Sequence, residues 1–461
     1  MKPVVRVAAA GLTVMLLASP SAWAISPPVV EESAAPPSGS TGPAVPMTQR
    51  TECVTTGVLP GTLDMPGAGA APAQTMLNLS DAWRFSRGEG QTVAVIDTGV
   101  RRGPRLPNVE PGGDYVANTD GLTDCDGHGT LIAGIIAGQP GDDAFSGVAP
   151  GARVLAIRQT SSAFAPRTPT EDPALARAAI DTASLARAVV HAADQGASVI
   201  NISTVTCLPA DNTVDQAALG AALRYAAVDK DVVIVAAAGN AAPSGLSGGA
   251  ACESNPLNGS GSPGDPRDWA GVTSVSSPSW WQPYVLSVGS TSSTGQPSAF
   301  TMAGPWLGIA APGENVVSLS NGDGGGLANG MPGGRGELTS LSGTSYAAAY
   351  VSGAAALVRS RFPDLTAAQV IDRLTATAHR GAQAPSNVIG AGSVDPVAAL
   401  TWQLPDVGPT GPVPAKHIAA PALPAAENHT SRTVAFAGAA ALLLVVGATA
   451  FAAHRRKEQD Q

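Results

Sequence analysis

The stretch TVAVIDTGV, Thr92 to Val100, is apolar at almost every position until Asp97, where turn-forming residues begin. Similar runs recur in ARVLAIR (Ala152 to Arg158), ASVINIS (Ala197 to Ser203) and DVVIVAAAGN (Asp231 to Asn240). Continuous Val/Ile runs of this length predict strands buried on both faces. Between them the apolar period lengthens toward 3.6, which predicts amphipathic helices near Thr182–Gln195 and Asp215–Val228. Strands alternating with helices give an α/β fold, a parallel sheet with helices on both faces. In such sheets functional groups gather at the carboxyl ends of the strands, where Asp97 and Asn240 both fall. Two stretches break the pattern. Gln159–Asp181 carries Pro166, Pro169 and Pro173, and Ala241–Gln282 is dominated by Gly, Ser, Pro and Asn. The first reads as exposed and poorly ordered, a place for nicking or partner contact that could be deleted with the fold intact.

The two ends follow other rules. Residues 1–24 combine Lys2 and Arg6, an apolar run from Val7 to Ala18 and the small-x-small site Ala22-Trp23-Ala24, which predicts a cleaved secretory signal. Residues 25–76 are rich in Pro, Gly, Ala and Ser and form an extended arm, ordered only if something pins it. The folded domain is expected over 77–402, followed by a proline-rich spacer at 403–432. Thr433–Ala453 is 21 residues without a charge, or ~31 Å as a helix, which matches a bilayer core. His454, Arg455, Arg456 and Lys457 open the 454–461 tail and place it in the cytoplasm. The expected topology is a single-pass type I membrane protein with its domain on the extracytoplasmic side.

Composition narrows the chemistry. The 461-residue chain has a formal net charge of -9, a charged fraction of only 13% and no basic cluster in the central region, which argues against nucleic acid as a partner. Asp114, Asp120, Asp124 and Asp126 are scattered without the spacing of a calcium loop, and no metal or cofactor is expected. Four cysteines, Cys53, Cys125, Cys207 and Cys252, are an even number for an oxidising compartment, and their spacing does not suit zinc.

Candidate chemistry begins at Leu338–Val358, LTSLSGTSYAAAYVSGAAALV, where Ser345 sits among small residues just before a helical pattern. Small neighbours clear space around a hydroxyl, and a helix N-terminus favours developing negative charge. A base and its orienting acid are available in DCDGHGTLIAG, which sets His128 between two glycines, and in Asp97, a carboxylate that closes an apolar strand. Taken singly, Asp97 suits a buried cap and His128 a packed helix start. Together with Ser345 they make a nucleophile, a general base and an orienting acid.

The wording and order of these segments resemble the subtilisin-like serine proteases. VAVIDTGV, DGHGTLIAG and SGTSYAAA resemble the family's three signatures, in the order Asp97, His128, Ser345, and AAAGN resembles its oxyanion segment, with Asn240 as donor. The whole layout resembles the mycosins, membrane-anchored proteases of mycobacterial type VII (ESX) secretion systems. That resemblance implies secreted protein substrates and association with the secretion membrane complex. It implies either selective endoproteolysis or a mainly structural role in the complex with proteolysis secondary. Departures bear on specificity: Ala349 stands where the family usually has proline, Tyr346 and Tyr350 replace commoner residues, and INISTV places Thr204 and Val205 where smaller residues are common. Broad digestion is therefore not expected.

Cys125 lies three residues before His128, so pairing with Cys53 would lash the arm to the rim of the site. Cys207 with Cys252 would then tie the INIS strand's exit to the glycine-rich stretch. Each closure could contribute about 4 kcal/mol in the chain-entropy model. Cys53 with Cys207 or Cys252 remains the alternative. The favoured pairing predicts an arm that stays attached and leaves the cleft open.

Overall fold

A computed structural model describes residues 25–31, 33–62, 72–168, 170–241, 252–257, 264–333, 336–381, 384–404 and 430–459. The expected signal (1–24) and most of the expected spacer lie outside the described residues. Two units divide the chain, Met1–Gln403 and Leu404–Gln461.

Among the described residues of the first unit, the strands that organise the fold are β1 (Met47–Gln49), β2 (Thr92–Asp97), β3 (Val109–Asp114), β4 (Arg153–Arg158), β5 (Phe164–Pro166), β6 (Val199–Ile202), β7 (Thr206–Pro209), β8 (Val233–Ala237), β9 (Ser274–Ser277), β10 (Val285–Thr291) and β11 (Leu307–Pro312). Two small antiparallel pairs follow, Ser318–Leu319 with Leu327–Ala328 and Gly330–Pro332 with Leu338–Ser340. The central sheet has seven strands in the order β11-β10-β8-β6-β2-β4-β3, with every neighbouring pair parallel. Alternation along each strand sends side chains to two cores. Val93, Val95, Val199, Val233 and Val235 face one core, shared with the helices His128–Ala137 and Thr344–Arg361. Ala94, Ile96, Ile200, Ile202 and Ile234 face the other, shared with the helices Pro173–Asp194 and Ala217–Arg224. Because both faces are covered, every residue of β2, β6, β8 and β10 is buried.

The Thr344–Arg361 helix is buried along nearly its whole length, which its small residues permit. Gly353 shows why: a Cβ there would sit 2.5 Å from Val148 Cβ. Ser352 donates to Asn201 Oδ1 at 2.8 Å, tying this helix to β6 within the core.

Gln159–Asp181 is not the loose loop that its prolines suggest. β5 pairs antiparallel with β1, and Asp126 accepts from Ser161 Oγ (2.5 Å) and from the Ser162 N–H (2.8 Å). The following helix begins at Pro173 rather than Thr182, because Asp172 caps it, accepting from the Leu175 N–H at 2.9 Å, and proline is favoured at its first position. Arg177, paired with Asp181 within the helix at 2.8 Å, donates to Phe164 O at 3.3 Å and to Thr160 Oγ1, which packs the start of this helix back on the segment. The helix expected over Asp215–Val228 is α-helical only over Ala217–Arg224 and closes in a π turn at Tyr225–Asp229. Within Ala241–Gln282 the described residues include β9, paired with β7, and a buried Asn255 bonded to Ser274 and Ala303.

Residues 25–62 contain one short strand, β1, and are otherwise held by separate contacts. Gly42 N–H bonds Asp114 O, Val54 N–H bonds Cys125 O, and Gly57 N–H bonds Gly330 O. Thr56 N–H and Leu59 N–H donate to the side chains of Asn321 (3.0 Å) and Asn329 (2.7 Å). In the second unit, Thr430–Gln459 is one continuous helix; among the described residues, no helix is long and apolar enough to cross a membrane.

Candidate active site

Asp97 is the last residue of β2, at the carboxyl end of a strand in the middle of the sheet, and is fully buried. The Thr98 N–H donates to its Oδ1 at 2.7 Å. His128 opens its helix, preceded by Gly127 in the left-handed region (φ 78°). There a Cβ would lie 2.6 Å from Thr56 Cγ2, so the turn needs glycine for both its φ and its space. Ser345 lies in the first turn of its own helix. These elements bring together three residues that are far apart in sequence: His128 Nδ1 stands 2.8 Å from Asp97 Oδ1, and His128 Nε2 stands 3.0 Å from Ser345 Oγ.

Asn240 follows β8 on the other side of the serine. Its Oδ1 accepts from the Thr344 N–H (3.0 Å) and Thr344 Oγ1 (3.1 Å). With the carbonyl oxygen held there, Nδ2 faces the serine turn, 3.3 Å from where a Gly343 Cβ would stand; that same point is 3.3 Å from Ser345 Oγ. A donor in this position can reach an oxygen that gains charge when Ser345 attacks a carbonyl.

Burial alone would disfavour a charged imidazole. The charge of Asp97 and its hydrogen bond outweigh that effect, helped by Asp124 and Asp126, and raise His128 above the ordinary histidine value. The buried Tyr346 ring lies 5.6 Å from the imidazole, tilted by 49°. Burial, then the charge of Asp97, push its hydroxyl far up, so it stays neutral. Thr204 and Val205, expected from the resemblance at the specificity pocket, are half-buried. Val205 packs on the core that holds the Ser345 helix, and Thr204 Oγ1 reaches Gln159 Oε1 at 3.4 Å.

The supporting residues were not singled out from sequence. Asp124 Oδ1 accepts from Thr98 Oγ1 (2.8 Å) and the Gly127 N–H (2.8 Å), while Oδ2 accepts from the Thr130 N–H (2.9 Å) and Oγ1 (2.6 Å). One carboxylate therefore ties the residue after Asp97 to both sides of His128. Burial raises its pKa to about 6, against the hydrogen bonds from Thr130 and Thr98. The signal available was an aspartate four residues before the histidine, at a helix start with a glycine between them. Asn321 accepts from Thr56 and donates to Val54 O (2.9 Å) and Asp124 O (3.2 Å). Nothing local marks it. The cysteines pair as Cys53–Cys125 and Cys207–Cys252, so the alternative pairings fall away.

The model of the Subtilase family matches residues 88–392. Mycosin-3 of Mycobacterium tuberculosis is 65% identical over 446 residues, 96% of each chain. The chain belongs to the subtilase family and, within it, to the mycosins. Mycosin-1 of Mycolicibacterium smegmatis is 47% identical, over 98% of this chain and all of its own. Among solved structures, the MycP3 protease from the type VII (ESX-3) secretion system superposes with a TM-score of 0.78 at 68% identity, covering 82% of this chain and 100% of that one. A chain of an intact ESX-5 inner membrane complex gives 0.78 at 47% identity, covering 92% and 99%. This chain is thus a subtilisin-like serine protease of the kind found in ESX systems.

Proposed function

We propose that Asp97, His128, Ser345 and Asn240 are its catalytic residues and that they cleave selected secreted proteins. The observation that carries this reading is the unbroken line from Asp97 through His128 to Ser345, at 2.8 and 3.0 Å. Ser345 Oγ attacks the scissile carbonyl as His128 Nε2 takes its proton, and Asp97 holds the tautomer that makes this possible. The carbonyl oxygen gains the negative charge and receives hydrogen bonds from Asn240 Nδ2 and the Ser345 N–H. His128 then passes its proton to the leaving amine as the C–N bond breaks, and water, deprotonated in turn by His128, releases the acyl group. The full-length protein should be labelled by a fluorophosphonate probe and the Ser345→Ala form should not. Equal labelling of the two would end the reading.

We further propose anchoring by the Thr430–Gln459 helix, whose 433–453 stretch carries no charge, with the protease unit outside the cytoplasm. The greater identity to the MycP3 protease of an ESX-3 system (68%) than to MycP1 of an ESX-1 system (48%) favours service to an ESX-3-type machinery. A second reading, a stabilising part of the secretion complex, is favoured by the likeness to a chain within an ESX-5 inner membrane complex. Complementing a deletion strain with Ser345→Ala separates the two: full return of secretion makes the structural role dominant, and failure makes catalysis essential.

A further inference from the structure

The Gly239–Asn240 turn is held from beneath by sulfur. Gly239 has φ 103°, a conformation that favours glycine, and a Cβ there would lie 2.8 Å from Cys252 Sγ, 3.3 Å from Cys207 Sγ and 3.3 Å from Met302 Sδ. The disulfide and the thioether, with Cys207 Sγ and Met302 Sδ 3.9 Å apart, fill the space that a side chain would occupy. The main chain is fixed on the same side: the Cys252 N–H donates to Asn240 O at 2.9 Å, and the Met302 N–H donates to Gly239 O at 3.0 Å. Cys207 itself is set in β7, which pairs with β9 (Cys207 opposite Ser276). The bond therefore links a paired ribbon to Cys252, whose N–H in turn holds the carbonyl of Asn240. On the far side of the turn, the Gly239 N–H donates to Thr344 Oγ1 at 3.2 Å, next to Ser345.

We propose that the Cys207–Cys252 disulfide, seated against Met302, is a positioning element for the oxyanion donor. It holds the Gly239–Asn240 turn at the height where Asn240 Nδ2 faces the oxygen that Ser345 makes anionic. This rests on the assignment of Asn240 as that donor. A disulfide that served only general stability would gain nothing from lying directly under a catalytic turn, and its loss would lower the melting temperature without touching the acylation step. A positioning disulfide acts through Asn240 alone, so the two should be coupled.

The test is a double-mutant cycle on the full-length protein, with the fluorophosphonate acylation rate resolved into a limiting rate and a half-saturating concentration. Asn240→Ala should lower the limiting rate by on the order of 10² to 10³, the cost of losing one such donor. Cys207→Ser/Cys252→Ser should lower it by about tenfold, with the half-saturating concentration changed less than about twofold. In the Asn240→Ala background, removing the disulfide should change the rate by less than about twofold. Equal losses in both backgrounds, or a lower melting temperature with an unchanged limiting rate, would overturn the inference while leaving Asn240 as the donor. An Asn240→Ala protein that acylates normally would remove the assignment itself, and the inference with it. Should the serine pair fail to unfold cooperatively, Met302→Ala carries the same cycle with the disulfide intact: it empties the seat of the sulfurs without straining the Gly239 backbone. The same coupling to Asn240→Ala is expected, and independent effects overturn the proposal.

Discussion

In the proposed mechanism His128 must be neutral at Nε2 to take the serine's proton, so its raised pKa sets where activity fails. Acylation is expected to fall as pH drops through a midpoint above histidine's usual value of about 6.5. Asp97→Asn removes the charge that holds the imidazole up and puts an amide donor in place of one carboxylate oxygen, which favours the wrong tautomer. It should move that midpoint down and cost about 10⁴ in rate, as the equivalent change does in another Ser-His-Asp enzyme. A pH series of probe labelling reads both, and an unmoved midpoint would separate Asp97 from His128. The effect on stability has the opposite sense. A histidine whose folded pKa is raised contributes stability that is complete below about 6.5 and is lost as pH rises through the folded value. Melting temperature should therefore fall more between about pH 6 and 9 in the wild type than in His128→Gln. Asp124 is more exacting, because its two oxygens collect side-chain and backbone donors from Thr98, Gly127 and Thr130. Asp124→Ala leaves buried donors unmet, each at about 1 to 3 kcal/mol, and should lower both the melting temperature and the acylation rate.

At the level of elements, the strands easiest to read were those buried on both faces. β2, β4, β6 and β8 are Val/Ile runs that could hardly be anything else; Asp97 closes one of them, and His128 and Ser345 stand in short, distinctive segments at helix starts. β3, with the sequence VEPGGD, carries no such run, and it joins the sheet only through pairing with β4. The start of the Pro173–Asp194 helix is hidden in the sequence because the prolines before and at it suggest a break, although Asp172-Pro173 is a cap followed by a favoured first residue. Asp172→Ala is expected to cost about 1 kcal/mol, measurable by chemical denaturation. Removing 162–171 should destabilise the whole unit, since Asp126, β1 and Arg177 all hold that segment. The supporting residues could not be read, for a different reason. Asn321 meets Thr56 and Asp124 across separations of 265 and 197 residues, and only the finished fold brings them together.

For the molecule as a whole, Cys53–Cys125 joins residues 25–62 to the segment that leads into His128. A single cut between Thr62 and Pro72 should therefore leave one species on a non-reducing gel and two after reduction. Probe labelling of the cut, unreduced protein should match that of the intact chain. Labelling that rises only after the fragment is removed would show that this segment restrains the enzyme. The positions of the three triad residues along the chain also set a timetable. Asp97 and His128 leave the ribosome early, but Ser345 follows His128 by 217 residues. Its helix can be seated only after β6, β8, β10 and β11 have been made to receive it. Until then the nascent chain carries the proposed acid and base with nothing to activate. Under the proposed mechanism, peptide-bond cleavage can start only when Ser345 arrives, about three-quarters of the way along the chain.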